Sequence, residues 1–340
     1  MELPDVNQAT AATVRLLPQL GMDGGTVILA IIKQRFEVDP RGQVVRVEGA
    51  EVRLADEPWD EDKPEKSSVK FPADVCLYKP STDVLVTGSA VGPGKRSAVS
   101  LDVKVKVGPV ERNLRVFGLR VWYQGIAGLS LSPPQPFEEL ALRWEYAYGG
   151  FDDSNPEKPL EEARNPVGCG VARDPKALVH QPAPAIEDPA DLISSHRSKP
   201  EPAGVGPLGR HWAPRRSFLG TMDERWKKER MPLPPLDFDP HHNQAAPPRL
   251  IAPAYLKGGE PVELHNVCVD GPLSFSLPRL AFVIGARTDD GTAEYRPALD
   301  TVLLEPNQRC FEMTWRAAIP SPRPIRRLRS IDVVEKTVLS

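Results

Sequence analysis

The run Val99–Tyr123, VSLDVKVKVGPVERNLRVFGLRVWY, decides the fold class. Val99, Leu101, Val103, Val105 and Val107 alternate with Ser100, Asp102, Lys104 and Lys106. A period of two built from β-branched residues is what one sheet face against a core requires. Gly108-Pro109 turns the chain, and Leu114–Tyr123 returns. Val116 and Trp122 share one parity of that return strand; Phe117, Leu119, Val121 and Tyr123 share the other. Apolar residues on both parities predict a strand covered on both faces. The whole run reads as an antiparallel hairpin.

The totals agree with a β protein. The chain has 340 residues, of which 40% are hydrophobic, enough for a core in one large domain or two smaller ones. Its 38 prolines exclude an architecture of long helices, because proline breaks helix interiors. A net charge of −3 argues against a broad nucleic-acid surface. The basic cluster Arg323, Arg326, Arg327 and Arg329 reads as a solvated tail. Cys76, Cys169, Cys268 and Cys310 show no C-x-x-C spacing, so neither a zinc site nor a disulfide framework is implied. The start, Met-Glu-Leu-Pro-Asp, lacks the features of a signal peptide, and Val27–Ile32 is far too short an apolar run for a membrane span. The expected setting is the cytoplasm, without a membrane contact.

Further strands are predicted over Thr26–Val38, Val44–Val47, Glu51–Leu54, Val262–Val269, Leu273–Leu277 and Leu280–Ala286. Thr301–Leu304 and Arg309–Ala317 make a second hairpin around Glu305–Gln308. Residues 1–22 read poorly: Ala11–Val14 fits a helical turn or a strand, ended by Pro18. Thr221 and Glu224 have capping-box spacing, predicting a helix over Met222–Met231 that Pro232 stops. Residues 156–214 are rich in proline, either a long functional loop or an ordered wrap. The expected architecture is mainly β: antiparallel sheets, sandwich- or barrel-like, with long proline-rich loops and one or two short helices. Its organisation is an uncertain segment 1–22, a domain 23–318 and a basic tail 319–340. Two β lobes, 23–155 and 215–318, joined through 156–214, would also fit the domain.

Leu140–Gly170 is the densest stretch after the hairpin. Leu140, Leu142, Trp144, Tyr146 and Tyr148 alternate as in a strand, and Gly149-Gly150 then allows positive φ. Asn165-Pro166 and Gly168-x-Gly170 form a second turn cluster. Glu145, alone among aromatics, calls for an arginine partner or backbone amides to cap; general acid–base work is a weaker reading.

Ordered motifs along the chain resemble the domain-of-unknown-function 2169 family. The elements are Lys33-x-x-Phe36, Lys79-Pro-Ser-Thr-Asp83-Val-Leu-Val-Thr-Gly88, and W-E-Y-A-Y-G-G-F-D from Trp144 with N-P-V-G-C-G from Asn165. Gly220…Trp226…Arg230…Pro235…Asp237-Phe238-Asp239 follows, then Leu299-Asp300-Thr301 and Trp315-Arg316. Trp144, Glu145, Tyr148, Gly149, Gly150, Asn165, Pro166, Gly168, Gly170, Gly220, Asp237 and Phe238 are the motif residues expected to be structural. The resemblance implies a type VI secretion adaptor, or chaperone, of Gram-negative bacteria. Such a protein loads an effector with a PAAR-like domain onto the spike trimer of valine-glycine-repeat protein.

The residues themselves supply no nucleophile elbow, Rossmann fingerprint or P-loop, so no enzyme and no cofactor are expected. Cys169 lies between glycines but has no cationic neighbour in sequence to activate its thiol. Asp237, Asp239 and His241, with His242 adjacent, are the residues of an alternative metal-dependent hydrolase. Adjacent histidines chelate one metal poorly, and a carboxylate turn holding backbone is the better reading. A structural component of the secreted spike is a further alternative. For partner binding the candidates are Trp212, Arg215 and Arg216, taken as exposed in a loop, and Trp226, an anchor or the packing residue of its helix.

Overall fold

A computed structural model describes residues 5–126, 128–321 and 328–336. Arg323, Arg326 and Arg327 lie outside the described residues. The protein is mainly β, its sheets are mostly antiparallel, and they do not close into a barrel. Among the described residues the α-helices are two short ones, Ala213–Arg216 and Glu224–Glu229.

Three sheets build the core. The largest is organised on Thr26–Val38, which pairs with Thr13–Leu20 on one side and Cys310–Pro320 on the other. Ala298–Glu305 follows antiparallel, and Asp83–Val86 closes that edge in parallel. Val44–Val47 pairs with the far end of Thr26–Val38. Pro18 does not end its strand; it lies inside Thr13–Leu20, on the sheet edge where a missing N–H is tolerated.

The second sheet contains the predicted hairpin, Ser100–Val107 against Val110–Phe117, extended by Pro261–His265, Leu273–Ser276 and Ile186–Glu187. Val103, Val105, Val107, Leu114 and Val116 point into the core, as their parity predicts. On the outer face Glu263 takes Lys104 at 2.9 Å and Lys106 at 3.4 Å, opposite charges on neighbouring strands. The return strand ends earlier than expected. The strand is interrupted at Gly118, where the chain passes so close to Gln135 that an added Cβ would fall 1.7 Å from its carbonyl oxygen. Arg120–Gly125 then starts a separate small sheet with Gly128–Leu131 and Pro182–Ala183. Trp122 packs inward with Tyr148, Leu178, Ala183 and Ile193, while Leu119, Val121 and Tyr123 stay exposed. The expectation of cover on both faces is corrected to one.

The third sheet corrects the reading of the chain ends. Leu328–Lys336 is a strand, not a solvated tail, and Ile331 and Val333 are fully buried. It pairs with Asp5–Ala9 in parallel and with Ala281–Thr288 antiparallel; Gly291–Tyr295 adds the last strand. Arg329 extends from this strand to Asp289 at 2.6 Å. Glu51–Leu54 forms no strand: the Arg53 amide donates to the Asp74 carboxylate and the Arg53 carbonyl accepts from the Asp74 amide, so neither joins a ladder.

The large sheet is two-faced. Phe36, Phe311, Met313 and Trp315 share one side. Phe311 stacks on Phe275 of the second sheet, and Trp315 meets Phe282 of the third edge-on. All three sheets therefore share one hydrophobic cluster. The opposite parity carries Lys33, Arg35, Glu312, Thr314 and Arg316, with Thr301, Glu305 and Asp83 in register beside them. Segments from Arg53 to Lys79 cover this charged face. Residues 156–214 run as an ordered wrap with short pairings and buried Ile193, Val205 and Leu208.

Candidate functional site

The motif residues come together in three places, and the first is the charged face of the large sheet. Lys33 Nζ lies 2.8 Å from Asp74 and 3.1 Å from Glu312, all three buried. Arg53 and Arg35 also reach Glu312. Burial alone would raise the Glu312 carboxyl, but Lys33 and Arg53 outweigh it and hold the group below its ordinary range. Lys79 contacts Asp83 at 2.7 Å and the Thr301 hydroxyl at 2.9 Å, while Arg316 pairs with Asp300 and donates to the Asp74 carbonyl. Here Lys33 and Arg316 face the charges while Phe36 and Trp315, a few residues away in the same motifs, face the apolar core. Such a layer fixes strand register, because a one-residue slip would drive every charge into the core.

The second place is the Trp144–Gly170 stretch. The expected continuous strand is replaced by Glu139–Ala141, a 3-10 turn at Trp144–Tyr146 and a short pairing of Tyr148-Gly149 with Cys169-Gly170. The reason is the Trp144 ring, which must be buried with its N–H satisfied. It donates to the Gly206 carbonyl at 3.1 Å and meets Trp212 edge-on. Asn165 is fully buried and donates to the carbonyls of Trp144 and Tyr148. Pro166 follows it, and Gly168 sits close enough to the Gly149 Cα that a Cβ would fall 2.8 Å away. Glu145 satisfies both of its sequence readings, accepting from Arg143 and from the Ser68 amide and hydroxyl. Burial pushes the Cys169 thiol up to about 12, the opposite direction from an activated thiolate.

The third place is a clasp over residues 218–240. Gly220 turns with φ +80°, a left-handed conformation suited to glycine. The Thr221 amide and hydroxyl both donate to Asp237. Thr221 is therefore committed elsewhere, and the predicted capping box is corrected. Asp223 caps the helix Glu224–Glu229 by accepting from the Trp226 amide at 2.8 Å. The Trp226 indole donates to the Leu233 carbonyl, Arg230 to the carbonyls of Pro234 and Met22, and Phe238 packs edge-on against His242. The loop thus closes on itself and is tied to the turn after Thr13–Leu20. Its apolar crest is uncovered: Leu236 is 83% and Met231 62% exposed, and Met222 is exposed too. Trp226 and Leu236 line a cleft with Arg225, Glu229 and Arg230.

Among the partner-binding candidates, Trp212 is 1% and Arg215 4% exposed, which corrects their placement in an exposed loop. They pack under the wrap: Trp212 on Trp144, Arg215 donating to the carbonyls of Leu208 and His242. Arg216 is exposed, and Trp226 is half-buried in the clasp. Of the alternative hydrolase residues, Asp239 and His241 touch, with Asp239 Oδ1 2.5 Å from His241 Nδ1, while Asp237 is turned to Thr221. Asp239 also caps the turn Pro240–Asn243, and His242 faces the Arg215 carbonyl. Among the described residues no three His, Cys, Asp or Glu side chains are grouped as a metal would need. Sequence reasoning missed Met222, Met231 and Leu236; the signal was apolar residues in a segment otherwise spent on turns and caps.

The profile of a family described as "Uncharacterized protein conserved in bacteria (DUF2169)" matches residues 23–316. The chain belongs to that family. The match spans the two faces of the large sheet, the Trp144 stretch and the clasp. Comparison with curated proteins and with solved structures gives no match. Among the described residues no helix is long and apolar enough to cross a membrane.

Proposed function

We propose that this chain is a cytoplasmic adaptor that binds a type VI secretion effector through its PAAR-like domain and helps load it onto the valine-glycine-repeat spike trimer. The family resemblance supports this, and one observation carries it: the 218–240 clasp. Its polar groups are spent on holding a protruding loop in shape, and its large apolar side chains are left to solvent. A loop rigidified from within and apolar at its crest suits docking, because little ordering entropy remains to be lost on binding. Methionine adapts to irregular partner surfaces, and the half-buried Trp226 beside Leu236 offers an anchor.

The test is capture of an effector protein carrying a PAAR-like domain by the purified chain. Leu236→Ser with Met231→Ser should reduce capture several-fold while the melting temperature holds, because both side chains already lie in water. Failure of the wild-type protein to capture such a partner, with normal secretion in cells lacking it, would reject the adaptor reading.

A further inference from the structure

Edges of the core sheets are guarded. Thr13–Leu20 carries Arg15 and Pro18, and Asp5–Ala9 and Gly291–Tyr295 each carry a carboxylate. The Val86 amide of Asp83–Val86 donates to the Val205 carbonyl, and the chain at Gly42 lies against the Ser274 carbonyl of Leu273–Ser276. Charge, proline and covering loops keep an edge from pairing with another chain. The small sheet of Arg120–Gly125 and Gly128–Leu131 ends on an edge strand with no charge and no proline inside it. In a chain of which 26% is charged, Val121–Phe137 holds no Asp, Glu, Lys, Arg or His.

The neighbouring strand settles which backbone groups face outward. The Trp122 amide donates to the Gln181 carbonyl, and the Trp122 carbonyl accepts from the His180 amide, so Trp122 faces away from Gly128–Leu131. The Val121 carbonyl faces the other way and accepts from the Ser132 amide. Trp122 stands opposite Leu131, Tyr123 opposite Ser130 and Gln124 opposite Leu129. Ladder groups alternate along an antiparallel pair, so the N–H and C=O of Leu129 and Leu131 point to the open side. Among the described residues these groups have no partner there. The Leu129 and Leu131 side chains pack on the Trp122 cluster, while Ser130 shares the outer face with Val121 and Tyr123. Beyond the strand end, Ile126 is fully exposed.

We propose that this edge is a homodimer interface, in which Gly128–Leu131 pairs antiparallel with the same strand of a second copy of this chain. The register is centred on Ser130, with Leu129 of each copy opposite Leu131 of the other. It sets outward-pointing groups against outward-pointing groups and keeps the apolar faces of both copies on one side of the joined sheet. A one-residue slip would break both conditions. The second copy fits this edge in charge as well: both strands are neutral, so no like charges meet and no charge is desolvated. The same pairing carries Ile126 of one copy toward Pro133 and Pro134 of the other, taking an apolar side chain out of water.

The experiment is sedimentation of the full chain over a wide concentration range, where a reversible rise toward twice the monomer mass is expected. Ser130→Lys sets two ammonium groups opposite each other on the outer face and should weaken the dimer several-fold, with the melting temperature of dilute protein unchanged. A second variant reads the register. Ser130 faces its own copy in a pair without ladder bonds, where Cα atoms stand about 4.5 Å apart, within the span of a disulfide. Ser130→Cys should therefore cross-link two chains under mild oxidation. Its yield should exceed that of the wild type, whose four cysteines are free, and that of Ser154→Cys at an exposed site elsewhere. A chain monomeric at every concentration, a Ser130→Lys variant that dimerises like wild type, or Ser130→Cys cross-linking no better than Ser154→Cys would each overturn the proposal, leaving the edge to solvent or to a strand of another protein.

Discussion

Substituting Gly149 by alanine should cost about 3 kcal/mol, and the figure follows from what surrounds the residue. The added Cβ would sit 2.1 Å from the Asn165 carbonyl oxygen and 2.9 Å from Asn165 Cβ and Cγ. That oxygen accepts from the Gly150 amide at 2.9 Å and the Gly168 amide at 3.3 Å. The Asn165 side chain meanwhile donates to Trp144 and Tyr148. Relief of the clash needs a shift of roughly 1 Å in a close-packed interior, enough to break two or three of these bonds at about 1 kcal/mol each. With an unfolding entropy of about 2.1 cal/mol/K per residue, ~3 kcal/mol lowers the melting temperature by about 4 °C in a chain of this length. The assay is urea unfolding, in which the midpoint should fall at unchanged slope. Two controls separate the causes. Gly49→Ala has φ +89° and no neighbour within 4 Å, so it should show only the conformational cost of about 1 kcal/mol. Gly206→Ala, with its nearest atoms at 3.7 Å, should stay within about 0.5 kcal/mol of wild type. A Gly149→Ala midpoint no lower than that of Gly206→Ala would refute the close-approach argument.

Trp212→Ala, at a buried ring set against Trp144, should destabilise by about 3–5 kcal/mol in the same urea assay, and an unchanged midpoint would return Trp212 to the surface. Asp152, held down to about 2 by the Arg173 amide and by Ser154, is depressed relative to an unfolded value of about 3.9. Its contribution is therefore present above pH ~4 and lost as pH falls toward 2, so Asp152→Asn should flatten that part of the acid-unfolding curve. His241→Ala should leave zinc content, read by elemental analysis, equal to that of wild type, because among the described residues no three His, Cys, Asp or Glu side chains are grouped as a metal would need.

The fold was legible wherever one side of a strand faces apolar neighbours. Val103, Val105 and Val107 are read correctly because parity alone places them. Thr26–Val38 and the Ala298–Pro320 hairpin are similarly open to reading. The charged face of the large sheet was not. Lys33, Glu312 and Arg316 look like solvent residues on alternate positions, and their burial depends on chain segments distant in sequence that fold over them. Trp144 misled in the opposite sense: its alternation with Leu142 and Tyr146 mimics a strand, while the need to bury the indole with a hydrogen bond forces a 3-10 turn. The candidate site was half legible. Asp237 as a holder of backbone could be anticipated from its residue type. The exposure of Leu236 could not, since composition does not say which apolar residue a loop leaves outside.

The pairing of Asp5–Ala9 with Leu328–Lys336 has a mechanical consequence. The strands run parallel, with five partners in register from Asp5–Ser330 to Ala9–Val334. A load drawn between Asp5 and Lys336 pulls them lengthwise past each other, so their ladder bonds are strained together and not opened one at a time. The third sheet would resist such a load as a shear clamp, whereas the same load across the antiparallel Ala281–Thr288 and Gly291–Tyr295, drawn from their open ends, would unzip them pair by pair.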